Sequence, residues 1–184
     1  MDIMIDTDLL FILFIPWLLY RIIVWIIKKQ ISIKTEVIKA LFYFSITFIY
    51  CLTLFPFPFY VYPHLETNGF LGINLIPFKS IYGSLTHFYY MVPLRNIAGN
   101  ILLFMPLGFS IPFRFQVKNV WKVILIGFSA SLLVETTQLF SGTRSFDVDD
   151  LILNTLGTAL GFFSYRLVVR LTNILSHKNN KQST

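Results

Sequence analysis

Five long apolar runs divide this chain of 184 residues, and short polar or basic segments separate them. Each run approaches the roughly 20 residues that an α-helix needs to cross the hydrocarbon core of a bilayer. The predicted spans cover residues 9–27, 37–57, 96–113, 121–140 and 148–169. The pattern therefore predicts an all-α fold, a polytopic bundle of five transmembrane helices that forms a single integral membrane domain over residues 1–184.

Prolines and charges refine these spans. Residues 55–58 read Phe-Pro-Phe-Pro and suit the end of the second span. Pro106 and Pro112 are expected to kink or end the third span. Arg21 lies inside the first span, where a long side chain is expected to snorkel to the headgroups. The tail from residue 170 onward is polar and is expected to be mobile.

Glycine spacing predicts close helix packing in two of the spans. Gly157 and Gly161 form a G-x-x-x-G motif in the fifth span. We assign it to packing inside the bundle rather than to a dimer interface. Gly99 and Gly108 in the third span are candidates for the same role.

Composition supports the membrane assignment. The chain is 55% hydrophobic with 20 Phe, its mean hydropathy is +0.69, and a soluble domain of this size could not bury that much apolar surface. We expect no cleavable signal peptide, because Asp2, Asp6 and Asp8 stand where a signal carries positive charge. Cys51 is the single cysteine, so the chain can form no internal disulfide, and it has no Cys/His zinc spacing.

The positive charges predict an orientation. A net charge of +6 could indicate a nucleic-acid partner, but the basic residues flank apolar runs and no RNA- or DNA-binding motif is present. If the N-terminus is outside, only Lys79, Arg95 and Arg144 of the 15 Lys and Arg residues face outward. This distribution predicts an outside N-terminus and a cytoplasmic C-terminus.

Polar residues concentrate at the predicted outer ends of spans three, four and five. Each of these ends carries a pair of polar residues three or four positions apart, and such pairs share one helix face. The turn between spans four and five adds an arginine and an aspartate, and the start of span five adds a further aspartate. We expect these groups to meet in one ligand-binding site at the outer surface. The candidate ligand-binding residues are Asn96, Asn100, Glu135, Gln138, Arg144, Asp147, Asp149, Asp150 and Asn154.

A structural role is the alternative for each of these residues. Asp147 is a candidate helix N-cap, and acidic residues at the start of span five complement the helix dipole. Gln138 and Asn154 can form interhelical hydrogen bonds, each worth roughly 0.6 to 2 kcal/mol in a membrane. Glu135 favours function, because an ionisable residue inside a span is costly unless it is paired or used.

A series of short motifs resembles one family. The motifs are NLIPF at 74–78, NIAGNILLFMPLGF at 96–109, ETTQ at 135–138, Arg144, DVDD at 147–150 and NTLG at 154–157. In sequence and order they resemble the VanZ-like membrane proteins over about residues 74–161, whereas the first two spans are generic.

This resemblance implies a small protein of the bacterial cytoplasmic membrane. The family's namesake is associated with resistance to teicoplanin, a lipoglycopeptide that targets cell-wall precursors outside the membrane. The resemblance points to the same motif residues as the candidate site, and it assigns no catalytic role to any of them. The implied partners are membrane lipids, with a cell-wall lipid intermediate or the lipoglycopeptide as ligand, and no nucleic acid. The ligand and the oligomeric state stay open.

Three functions are open from the residues. The first is non-enzymatic binding of a polar or lipid-linked ligand at the outer face. Four acids against Arg95 and Arg144 leave two net negative charges there, which suits a cationic group or a divalent cation that bridges to a phosphate. The second is a metal-dependent enzyme for a lipid-linked phosphate, although the D-x-x-D-G and Ser-Gly-His signatures of known lipid enzymes are missing. The third is a structural or assembly partner.

Overall fold

The computed structural model describes residues 7–28, 32–54, 72–141 and 145–182. Most of this part of the chain is helical; short connections and one pair of two-residue strands make up the rest. The helices are α1 (Thr7–Lys28), α2 (Ile33–Thr53), α3 (Lys79–Leu85), α4 (Met91–Phe115), α5 (Val120–Ser141) and α6 (Val148–Gln182), and the strands are β1 (Ile73–Asn74) and β2 (Phe146–Asp147). A π-helical turn occupies Leu94–Ala98 inside α4. The all-α fold is therefore confirmed.

Four helices of the described chain, α2, α4, α5 and α6, are long and apolar enough to cross a membrane. They coincide with the second to fifth predicted spans. α1 forms a helix of 22 residues where the first span is predicted. Its crossing of the membrane stays a prediction, as does the orientation of the termini.

The C-terminal ends of three helices differ from the ends of the predicted spans by two residues or more. α2 ends at Thr53, because the residue before a proline disfavours the helical conformation; residues 55–58 themselves lie outside the described residues. α4 passes through Pro106 and Pro112 and ends at Phe115. α6 continues to Gln182, well past the predicted end of the fifth span at residue 169, so the tail is helical as far as Gln182 and its mobility stays a prediction. The extension contains neither Gly nor Pro, which are the residues that stop a helix.

Close packing of α4 against α6 depends on glycine. A Cβ atom built at Gly157 or Gly161 would lie 2.2 or 2.0 Å from a carbonyl oxygen of α4. One built at Gly108 would lie 1.9 Å from a carbonyl oxygen of α6. These distances exclude any side chain, so the predicted packing role is confirmed for these three glycines. Gly99 has no atom within 4 Å of its built Cβ and does not share this role.

The hydrophobic core lies between α4, α5 and α6, with α2 against it. Phe104 and Ile111 of α4 and Phe162 of α6 are completely buried. Val123 of α5 and Ile49 of α2 belong to the same cluster. This packing places the start of α4, the end of α5 and the start of α6 together at one end of the bundle.

α1 is attached to α2 by an ion pair and by aromatic rings. Arg21 is 6% exposed and donates hydrogen bonds from Nε (2.8 Å) and Nη2 (2.5 Å) to the two carboxylate oxygens of Glu36. Lys39 Nζ donates to the same carboxylate at 2.8 Å, and the Trp17 ring stacks on Tyr43 with centroids 4.9 Å apart. The expectation that Arg21 snorkels to the headgroups is therefore wrong, because an acid on the neighbouring helix lies within its reach.

Candidate functional site

At one end of the bundle, side chains from α4, α5 and α6 form a set of hydrogen bonds with one another and with the segment from β1 to α3. We call it the polar network. Its predicted members are Asn96, Asn100, Glu135, Asp147, Asp149 and Asp150. Gln138 and Asn154 make separate contacts beside it. Arg144 lies outside the described residues. The predicted convergence of three helix ends is thus present in the structure, although ligand binding stays a prediction.

A short parallel strand pair connects the segment before α3 to the start of α6. Ile73 pairs with Phe146, and Asn74 pairs with Asp147. The Asn74 side-chain amide also donates to Asp147 Oδ1 at 2.9 Å. A strand of two residues leaves no alternating pattern in a sequence, so periodicity could not predict it.

Asp149 of α6 caps α3, a different helix. Its Oδ1 accepts from the Phe78 N–H at 2.5 Å. Its Oδ2 accepts from the Ser80 N–H (2.8 Å), the Ser80 hydroxyl (2.6 Å) and the Ile81 N–H (3.2 Å). Amides at a helix start lack partners within the helix, and Asp149 supplies them from α6. The carboxylate is completely buried, so these donors replace the water that it loses.

Asp147 and Glu135 join the end of α5 to the start of α6. Asp147 Oδ1 accepts from the Asp149 N–H at 2.9 Å, which is the predicted N-cap of α6. The Asp147 N–H donates to Glu135 Oε2 at 3.0 Å. Glu135 is only 2% exposed, and this bond meets the requirement that an acid inside a span has a partner.

Two asparagines of α4 complete the polar network. Asn100 Nδ2 donates to Asp150 Oδ1 at 2.5 Å, and Asn96 Nδ2 donates to the hydroxyl of Ser84 in α3 at 3.1 Å. Asn100 and Asp150 are partly buried, whereas Asn96 is exposed. This edge of the network is therefore open to the surroundings of the bundle.

Gln138 and Asn154 make the interhelical contacts that the structural alternative predicts. Gln138 Nε2 donates to the Thr53 carbonyl oxygen at 2.8 Å and so joins α5 to α2. Asn154 Nδ2 donates to the Ser131 hydroxyl at 2.9 Å and joins α6 to α5. The Asn154 Oδ1 atom is buried and has no hydrogen-bond partner among the described residues.

Two unusual backbone conformations border the polar network. Phe78 has φ 65°, a left-handed conformation that is rare for a bulky residue. The π-helical turn at Leu94–Ala98 presents Arg95 and Asn96 beside α3. Strained residues and π-turns are both frequent at functional sites. Sequence reasoning could not locate either one, because neither has a residue signature here.

Burial divides the eight described candidates into two groups. The supporting residues, each at most 3% exposed, are Glu135, Gln138, Asp149 and Asn154. The outward residues, partly buried or exposed, are Asn96, Asn100, Asp147 and Asp150. Two exposed cations border the polar network: Arg95 precedes Asn96 in the chain, and Lys79 stands between Phe78 and Ser80, whose amides bind Asp149. Within the described ranges, no group of three or more His, Cys, Asp or Glu residues could hold a metal ion.

The apolar helices and the polar network together define a polytopic helical membrane protein in which polar side chains pack together at one end of the bundle. A family model described as VanZ/LLP1 matches residues 41–169. The chain belongs to this family, which confirms the resemblance read from its motifs. The match also includes α2, so the second span is not generic as the motifs alone suggest. No curated protein and no solved structure matches the chain.

Proposed function

We propose that the protein acts at the outer face of the bacterial cytoplasmic membrane, where it binds a polar or lipid-linked ligand of the cell envelope. Through this binding it contributes to resistance to glycopeptides of the teicoplanin type. The observation that carries the proposal is the polar network, in which three helix ends and the β1–α3 segment meet at one end of the bundle. In this proposal α1 also crosses the membrane, which gives five spans.

The distribution of positive charge supports an outer location for the polar network. Lys79 and Arg95 are its neighbouring cations. Together with Arg144 they are the only 3 of the 15 basic residues that face outward when the N-terminus is outside. Basic residues favour the cytoplasmic side of a membrane protein. The opposite orientation would place the other basic residues outside and would violate that rule.

The outward residues offer a mixed set of donors and acceptors. The amides of Asn96 and Asn100 and the cations Lys79 and Arg95 can hold a phosphate or a carboxylate. Asp150 can accept a hydrogen bond from a hydroxyl or an amine. A cell-wall lipid intermediate and a lipoglycopeptide both carry such groups. The two buried acids of the supporting residues do not face this ligand, so the outward surface is less negative than the sequence count suggests.

Aromatic side chains beside the network support its location at headgroup level. Tyr82, Phe88 and Tyr90 are 70%, 96% and 71% exposed. Tyr is enriched at membrane–water interfaces because its ring is amphipathic. A site at this level reaches the polar part of a lipid-linked ligand while its lipid chain stays in the bilayer.

Susceptibility of a bacterial strain tests the proposal. The gene is deleted, and the strain is complemented with wild type, Asp150→Asn, Arg95→Gln or the control Lys122→Gln, which removes a charge at the far end of the bundle. We expect deletion to raise teicoplanin susceptibility and the two site variants to reproduce it at unchanged membrane levels of the protein. Unchanged susceptibility in the deletion strain would refute the resistance function.

A structural role of the network is the second candidate, and the environment of Asp149 favours it. That carboxylate accepts four hydrogen bonds from within the chain. In this case Asp149→Asn lowers the amount of folded protein, and Asp150→Asn has no specific phenotype. Measured together, protein level and susceptibility separate the two candidates.

A further inference from the structure

The end of the bundle opposite the polar network contains a cavity of about 950 Å³. We call this end the basic end. The cavity lies along α6 and reaches the connection between α4 and α5. Its walls combine cations, an amide and large apolar side chains. The lining residues used below are Lys118, Phe163, Arg166, Leu167, Arg170 and Asn173.

Among the described residues, no carboxylate forms an ion pair with the three cations of this cavity. Residues 67–134 and 151–184 contain neither Asp nor Glu. Glu36, near the start of α2, is bonded to Arg21 and Lys39 instead. Three cations that form no ion pair within the described part of the chain attract an anion from outside it.

The spacing of the polar lining residues places them on one face of α6. Arg166, Arg170 and Asn173 follow each other at intervals of four and three residues, so their side chains are neighbours on the helix surface. Like charges four residues apart repel each other. An anion between the two guanidinium groups would remove this repulsion, and guanidinium binds phosphate with two parallel hydrogen bonds.

The apolar wall identifies the anion as part of a lipid. Phe163 and Leu167 are 54% and 57% exposed and lie on the same helical turns as the cations. A free phosphate would use the cations alone, whereas a phospholipid uses cations for its headgroup and an apolar surface for its acyl chains. Basic pockets on the cytoplasmic side of membrane helices bind anionic lipids.

We propose that this cavity binds an anionic phospholipid of the adjoining leaflet. Arg166, Arg170 and Lys118 hold the phosphate, Asn173 donates to the headgroup, and the acyl chains lie along Phe163. This site is separate from the polar network, and its existence does not depend on the function proposed there.

Lipid binding to the purified full-length protein tests this site. Fluorescent phosphatidylglycerol and phosphatidylcholine are titrated against the protein in detergent micelles. We expect phosphatidylglycerol to bind more tightly, and Arg166→Gln with Arg170→Gln to weaken its binding roughly tenfold, since each cation near a membrane surface contributes to anionic-lipid affinity. Lys122→Gln is the matched control for the single variant Lys118→Gln, because each removes one charge at the same end and Lys122 lies outside the cavity lining.

Three outcomes would overturn the proposal. Equal affinity for the two lipids would remove the role of the negative charge. A loss of lipid affinity in Lys122→Gln equal to that in Lys118→Gln would show that net charge, rather than the cavity, attracts the lipid. Displacement of the lipid by inorganic phosphate would identify a phosphate site instead. Lys118 lies in the connection between α4 and α5 rather than in a helix. Lys118→Gln therefore tests whether the cations of the cavity contribute to lipid affinity even if the double variant does not fold.

Discussion

The two ends of the bundle use their charges in opposite ways. At the end with the polar network, carboxylates accept hydrogen bonds from within the chain, and Asp149 alone accepts four. At the basic end, Lys118, Arg166 and Arg170 line a cavity that has no acid of the chain in α6 beyond Asp150. The buried carboxylates of the first end fix the structure of the chain. The cations of the second end are those that we propose to bind a molecule outside it.

One ion pair at the start of α2 shows how much a single acid changes this balance. Glu36 binds both Arg21 of α1 and Lys39 of α2, and its bond to Arg21 holds α1 against α2. A cation with an acid within reach is therefore used for structure in this protein. In the part of the chain that the structure describes, the cations of the cavity form no ion pair with an acid, which is the reason to assign them an external partner.

The largest expected difference between the two ends is in stability. Asp149→Asn replaces one accepting oxygen with a donating amide that faces other donors, so we expect the free energy of unfolding to fall by about 3 kcal/mol. Lys118→Gln changes an exposed side chain and should alter it by less than about 0.5 kcal/mol. Denaturant unfolding of both purified variants in mixed micelles measures the difference. Similar losses in the two variants would contradict the division between the ends.

A smaller difference should appear in pairwise coupling. For Asn100 and Asp150, whose side chains are 2.5 Å apart, a double-mutant cycle with alanine should give a favourable coupling of about 1 to 2 kcal/mol. For Arg166 and Arg170, a cycle with glutamine should give a weak unfavourable coupling of about 0.3 kcal/mol. A favourable value for the arginine pair in lipid-free micelles would mean that the chain itself satisfies these cations.

Hydropathy and helix spacing predict the architecture and the meeting of polar residues well, because both depend on local sequence. A span is a continuous apolar run, and the cap at Asp147 bonds an amide two residues away. Even the polar pairs of α4, α5 and α6 need only the topology to bring them to one end. The predicted fold class and the convergence of the helix ends follow from these short-range features.

Contacts between distant residues could not be predicted in this way. Asp149 caps a helix about 70 residues earlier in the chain, and the order of the residues contains no signal for that pairing. Burial of the supporting residues also depends on packing, so the sequence alone does not show that Glu135 is buried whereas Asp150 is only partly buried. The cavity of the basic end is missed because basic residues after a span are read as markers of orientation, and only the packed helices reveal a volume between them.

The smallest expected effect concerns the attachment of α2 to the polar end of the bundle. Gln138→Leu removes the hydrogen bond to the Thr53 carbonyl oxygen and substitutes an apolar side chain of similar size. The free energy of unfolding should therefore fall by about 0.6 kcal/mol. Thr53→Val is the matched control, since its hydroxyl bonds to Ile49 in the same helix and its carbonyl stays available to Gln138. Unfolding in micelles measures both, and teicoplanin susceptibility should not change in either strain.

A loss of stability several times larger than in the control would mean that Gln138 is as important to the structure as the buried carboxylates of the polar network. A loss equal to the control would mean that apolar packing alone holds α2 in place.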